Sequence, residues 1–212
     1  MNFSDSNKKT VVIFGDSNTY GYNPETEGRY PESYRYPYVL QELLGKEWEV
    51  ISQGLNGRTS VFEDPLDEGL SGITYISPCL KTDKPIDKLI IMLGTNDSQE
   101  RFNVGAVHIA EGIVNLAEKA AQTPCWRKDP DILILCPPPI KDNYRELKFG
   151  LEMGEACDVK TAQLAYFLET MAIEGRFSFL DAGLVPGVEM HPLDGMHLTA
   201  ESHVALAQFL LK

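Results

Sequence analysis

Apolar runs too short for helices recur along the chain at Val11 to Phe14, Trp48 to Ser52, Lys88 to Leu93 and Ile132 to Cys136, with a fifth at Phe177 to Leu180. Their apolarity is continuous rather than alternating, as expected of strands buried on both faces of a parallel sheet covered by helices. Between them, apolar residues return every three or four positions. Gly105 to Gln122 does so through Val107, Ala110, Ile113, Val114, Ala117 and Ala121, and Asp158 to Ile173 through Val159, Ala162, Ala165, Tyr166, Leu168 and Ile173. Thr199 to Leu211 predicts a C-terminal amphipathic helix with Thr199 as its N-cap, and Tyr38 to Leu44 a helix that starts just after Pro37. Strands alternating with helices predict right-handed βαβ units in a three-layer α/β/α fold, with a flavodoxin-like five-stranded parallel sheet in the order 2-1-3-4-5.

Three segments break the periodicity. Gly21 to Tyr36 is dense in tyrosine, proline and charge. Arg58 to Pro85 must contain a crossover, with Ile73, Ile76 and Leu80 hinting at a short helix against the presence of Pro78. Pro137 to Met153 opens on three prolines. Loops this long in a compact domain shape a site or an interface. At about 150 residues per domain, the 212 residues predict one domain over 1–212, large enough to bury its own core.

Charge and cysteine use narrow the partners. Nineteen basic against 31 acidic residues leave a formal charge of −12, which repels phosphate backbones and anionic lipid and argues against nucleic acid or a membrane as partner. Cys79, Cys125, Cys136 and Cys157 form no CxxC pair and no zinc-type cluster, so they read as thiols of a reducing compartment. The opening stretch MNFSDSNKKT is polar and no apolar run reaches the length of a membrane helix. These features predict a cytoplasmic protein.

In an open α/β sheet the ligand crevice lies beyond the carboxyl ends of the strands, so the residues after each apolar run carry the chemistry. They are Gly15-Asp16-Ser17-Asn18, then Gly54-Leu55-Asn56-Gly57-Arg58-Thr59, then Gly94-Thr95-Asn96-Asp97. Ser17 at a strand-to-helix turn is a candidate nucleophile, or simply an N-cap. Its base must come from His108, His191, His197 or His203. The first and last of these sit within amphipathic helices and read as structural or solvent-facing. In His191-Pro192-Leu193-Asp194-Gly195-Met196-His197, Asp194 lies three residues from either histidine, so spacing alone does not choose between them. His197 is favoured because it abuts the final helix, with His191 read as a surface-loop residue. Gly57 offers a backbone N–H and Asn96 a side-chain amide to a developing oxyanion, against the plainer roles of turn glycine and helix cap.

Together these blocks resemble the conserved motifs of the SGNH (GDSL-type) hydrolase superfamily, in order and over nearly the whole chain. The resemblance implies Ser17 as nucleophile, His197 as general base and Asp194 as its orienting carboxylate, with Ser17, Gly57 and Asn96 forming the oxyanion hole and no metal or other cofactor. One departure is Gly-Asp-Ser-Asn in place of Gly-Asp-Ser-Leu, which predicts a more polar pocket wall. The stretches GLNGRTSVFEDPLDEGLSGITYISPCL and LIIMLGTNDS look closest to the small bacterial arylesterase/acyltransferase branch. That likeness implies a serine esterase acting on small aryl, alkyl or acetyl esters, able to pass acyl groups to alcohols, and a homo-oligomer. It makes Tyr20, Tyr22, Tyr30, Tyr34, Tyr36 and Tyr38 candidates for pocket wall or subunit contact. Carbohydrate acetylesterase, lysophospholipase or thioesterase chemistry of the same superfamily stays open. So do a non-catalytic binding module and, through Asp16, Asp97 and Asp194, a metal-dependent phosphohydrolase that a chelator would disable.

Overall fold

A computed structural model describes residues 8 to 211, so most of the polar N-terminal stretch behind the localisation expectation lies outside the described residues. In chain order the elements are β1 (Lys9–Gly15), α1 (Ser17–Tyr20), a two-residue ladder β2 (Tyr22–Asn23) with β3 (Gly28–Arg29), α2 (Tyr36–Leu44), β4 (Trp48–Gly54), α3 (Gly72–Asp83), β5 (Lys88–Met92), α4 (Ala106–Ala121), β6 (Ile132–Cys136), α5 (Gly150–Met153), α6 (Cys157–Glu174), β7 (Ser178–Asp181) and α7 (Ala200–Leu210). The main sheet is parallel with order β4-β1-β5-β6-β7, which is the expected 2-1-3-4-5 arrangement.

Both faces of the sheet are covered, and single strands show why their sequences are apolar throughout. Val12 and Phe14 of β1 face one core with Ile76 and Leu80 of α3, Ile109 and Ile113 of α4, and Leu164 and Leu168 of α6. Val11 and Ile13 face the other, with Tyr36 and Leu40 of α2 and Leu206 and Ala207 of α7. Side chains alternate across a strand, so two-sided burial demands apolar residues at every position.

The sequence expectations differ from the structure at two helices. Helix α2 begins at Tyr36, so Pro37 lies inside its first turn rather than before it; the N–H that proline lacks would have no intrahelical partner there. Helix α3 runs for 12 residues with Pro78 in its interior. Such a proline costs about 3 kcal/mol, and burial of Ile76 and Leu80, each about 1.5–3 kcal/mol, offsets it. The Pro137–Met153 segment folds over the strand ends through a third cluster of Ile140, Tyr144, Met153, Cys157 and Met196.

Register then aligns the chemistry. Gly15 pairs with Gly54 on one side and Met92 on the other, so β4, β1 and β5 end at one level. The segments that follow them emerge side by side.

Candidate active site

Helix α1 starts at Ser17 directly after β1, and its N-cap is Asp16, whose Oδ1 accepts from the Asn18 N–H at 2.9 Å. Capping is therefore done by the neighbour, and the Ser17 hydroxyl is free for other use. His197 Nε2 lies 2.8 Å from Ser17 Oγ, and His197 Nδ1 lies 2.7 Å from Asp194 Oδ2. The three residues are between 0% and 8% exposed.

Burial by itself would raise the Asp194 carboxyl. The hydrogen bond and charge of His197, with the Met196 and His197 N–H groups on Oδ1, outweigh it and hold the carboxyl below the usual range. An ionised Asp194 accepts from Nδ1–H, which leaves the Nε2 lone pair toward the serine hydroxyl.

The other histidines stand elsewhere. His191 is not a surface-loop residue: it is 7% exposed, its N–H donates to His197 O at 2.6 Å, and its Nδ1 accepts from Leu193 N at 3.2 Å. It holds up the loop that presents His197. His108 is exposed on α4, and His203 is fully buried between the rings of Tyr30 and Tyr36, at centroid distances of 5.5 and 5.9 Å.

Gly57 and Asn96, from the segments that follow β4 and β5, line the same cavity as Ser17. Gly57 has φ +78°, a conformation that a side chain would strain, and its N–H makes no backbone hydrogen bond among the described residues. Asn96 does not cap a helix. Its Nδ2 donates to Arg58 O at 3.1 Å, and its Oδ1 accepts from Gln99 Nε2 at 3.4 Å, so the amide plane is fixed.

These groups line a cavity of about 270 Å³, walled by Tyr22, Phe149, Met153 and Met196 with Asn56, Gln99 and Glu152 at polar positions. The Tyr22 ring lies 4.7 Å from His197 and 6.1 Å from Phe149, centroid to centroid. Of the six tyrosines singled out in the sequence, Tyr22 alone lines this cavity. Tyr36 is core, with its hydroxyl 2.7 Å from Thr19 Oγ1.

Several contributors were not legible beforehand. Phe149, Glu152 and Met153 come from a segment without periodicity. Arg58 is 6% exposed and donates to Gly15 O at 2.8 Å and to Gln53 O, tying the ends of β1 and β4 together; burial lowers its pKa to about 10. Burial raises Asp97 to about 6 although Ser60 donates to it from both N and Oγ, and burial likewise raises Asp16 to about 6. Among the described residues, no group of three or more His, Cys, Asp or Glu side chains is arranged to hold a metal ion. The expectation of a more polar wall at Asn18 is overturned. Asn18 is 1% exposed and spends its amide on the histidine loop rather than on the cavity.

The sequence profile of the GDSL-like lipase/acylhydrolase family matches residues 13–205. Among solved structures, the aryl esterase of M. smegmatis is similar at 32% identity and TM-score 0.85, over 95% of this chain and 96% of that one. A carbohydrate acetylesterase from Sinorhizobium meliloti is 31% identical with TM-score 0.84 over 96% of each chain. A putative arylesterase from Agrobacterium tumefaciens is 32% identical with TM-score 0.85, over 95% of this chain and 96% of that one. Curated proteins gave no sequence match.

Proposed function

Because this chain belongs to the GDSL-like lipase/acylhydrolase family and is an ester-hydrolysing enzyme of the SGNH type, we propose that it is a serine esterase of small carboxylic esters working through an acyl-enzyme at Ser17. The observation that carries this is the chain of contacts Ser17–His197–Asp194, at 2.8 and 2.7 Å, opening on a cavity shared with Gly57 and Asn96.

In this reading His197 Nε2 takes the hydroxyl proton as Ser17 Oγ attacks the ester carbon, and ionised Asp194 stabilises the imidazolium that forms. The developing oxyanion is met by the N–H of Ser17, the N–H of Gly57 and the second hydrogen of Asn96 Nδ2. Imidazolium then protonates the departing alcohol. Water, or another alcohol, reverses the sequence on the acyl-enzyme and frees the acid or a new ester.

A cavity of about 270 Å³ suits short acyl groups on aryl, alkyl or sugar alcohols. The polar positions Asn56, Gln99 and Glu152 favour acetylated carbohydrates as the second reading within the same chemistry. The proposal takes residues 1–212 as one catalytic domain that works in the cytoplasm. It also takes the chain as a homo-oligomer, supported by Val159, Tyr166 and Ile173, which recur every seven residues on α6 and are 51%, 74% and 66% exposed.

Hydrolysis of chromogenic esters with acyl chains from two to sixteen carbons, by the wild type and by Ser17→Ala with and without chelator, tests the proposal. Activity confined to short chains, abolished in the variant and indifferent to chelator is the expected outcome. A variant as active as the wild type would refute the nucleophile, and a preference for long chains would refute the substrate class.

A further inference from the structure

Between the nucleophile helix and the histidine loop, the described residues make three hydrogen bonds. One is the contact of Ser17 with His197 itself. The other two belong to Asn18, whose Nδ2 donates to Met196 O at 3.1 Å and whose Oδ1 accepts from Leu198 N at 2.8 Å. Residue 18 thus grips the backbone on both sides of the base, across 178 and 180 positions of sequence.

The remaining polar backbone groups of this stretch are held from within their own loop. Met196 N and His197 N donate to Asp194 Oδ1, and His197 O accepts from His191 N. From Met196 N to Leu198 N every backbone donor and acceptor therefore has a partner, and among the described residues Asn18 alone supplies partners from outside the loop. Its amide orientation follows from those partners, since a carbonyl requires the NH₂ and an N–H requires the oxygen. A leucine, as in the Gly-Asp-Ser-Leu form of the motif, would offer neither group.

Asn18 is 1% exposed and is not among the residues that line the cavity, so it does not meet a substrate there. Its own N–H is taken by the Asp16 cap, which fixes the start of α1 and hence the position of Ser17. From this we infer that Asn18 is a positioning residue for the esterase reaction: it sets the distance between serine and imidazole by tethering the base loop to the residue next to the nucleophile. The inference rests on the serine esterase reading above. A loop clamped at both flanks of His197 keeps Nε2 in line with Oγ, and loss of the clamp lets the pair separate while the cavity and its donors stay in place. Misplacement of a reacting group by about 1 Å costs about a hundredfold in rate.

The test is a kinetic cycle on a short-chain chromogenic ester, with kcat and KM measured for wild type, Asn18→Ala, His197→Ala, the double variant and Ser17→Ala, and a thermal midpoint for each. Asn18→Ala is expected to lower kcat by about 30- to 100-fold with KM within about threefold of wild type. The double variant should be no slower than His197→Ala, because a tether has nothing left to position once the imidazole is gone. A purely structural role predicts otherwise, since damage to the fold would slow both backgrounds alike. The inference is overturned if Asn18→Ala keeps kcat within threefold of wild type, or if it slows His197→Ala by the factor it imposes on wild type. Should Asn18→Ala yield no folded protein, Asn18→Asp, which keeps the acceptor for Leu198 N and loses the donor to Met196 O, is judged by the same two criteria. Full activity in Ser17→Ala would bring down the esterase reading and this inference with it. Silence at Asn18 while Ser17→Ala and His197→Ala are both strongly impaired would refute the positioning role alone.

Discussion

The amide nitrogen of Asn96 carries two hydrogens, and Arg58 O engages Nδ2 along one direction only. With the Oδ1 held by Gln99, the amide plane is fixed beside the cavity that Asn96 shares with Ser17, and in the proposed role its second hydrogen would meet the oxyanion without further reorganisation. Preorganisation of this kind distinguishes an oxyanion donor from a helix cap, whose side chain would instead face the N–H groups of its own helix. Asn96→Ala is accordingly expected to lower kcat by about a hundredfold to a thousandfold, with the thermal midpoint falling only by what the Arg58 O contact contributes. Steady-state kinetics beside a melting curve checks this. A variant that unfolds at assay temperature, or one with kcat near wild type, would remove Asn96 from the oxyanion hole.

Helices α2 and α7 pack against one another on one face of the sheet, and His203 lies at their contact. Its ring is enclosed by Tyr30 and Tyr36, its Nδ1 accepts from Tyr36 N at 3.5 Å, and its Nε2 has no partner among the described residues. Burial, with the nearby charges of His197 and Arg35, pushes its pKa down to about 3 from an ordinary value of 6.5. Between those values the unfolded chain binds a proton that the folded chain refuses, so this group makes stability fall as pH drops from about 6.5 toward about 3. Asp16 and Asp97 act with the opposite sign. Their pKa values are raised to about 6, so the folded chain takes up protons first and gains relative stability as pH falls from about 6 to 3.8. Comparison of wild type with His203→Phe isolates the histidine, since the carboxylates are common to both. The variant should lose less stability than wild type between pH 7.5 and pH 4.5. Parallel denaturation midpoints across that range would show that His203 is not refused its proton in the fold.

Over the whole molecule the charge of −12 sets a field that reaches the cavity, where Glu152 adds a local carboxylate. The Debye length shrinks from about 30 Å at 0.01 M salt to about 8 Å at 0.15 M, so approach of a charged ester is most sensitive to this field at low salt. With a matched pair of esters, one neutral and one carrying an anionic alcohol, kcat/KM of the anionic ester should be several-fold lower at low salt and recover as salt is raised. The neutral ester should change little. A ratio independent of salt would show that the cavity is insulated from the surface charge. Among the described residues no helix is long and apolar enough to cross a membrane.

How far the sequence speaks depends on the range of the forces involved. Continuous apolarity at Val11 to Phe14 and Lys88 to Leu93 determined buried parallel strands, because each side chain there must meet a helix layer whichever way it points. The helical spacing of Gly105 to Gln122 gave the helix to within one residue at each end and four residues of its buried face, Ala110, Ile113, Val114 and Ala117, while Ile109 and Leu116 beside them are buried as well. The order of the blocks around Ser17, Gly57, Asn96, Asp194 and His197 was equally legible, since a strand end is a local feature and the topology puts strand ends on one edge. Spacing from Asp194 did not separate His191 from His197; the place of His197 beside the final helix and the motif it completes favoured it, and tertiary structure then turned its ring toward Ser17. Tertiary structure also decided the placement of Tyr22, Phe149 and Glu152 around the cavity, the survival of α3 across Pro78, and the role of Asn18. In the sequence Asn18 is one polar residue after a serine. Its two partners lie almost the whole chain away, and a hydrogen bond depends on final distance and direction, which no local pattern of residues encodes.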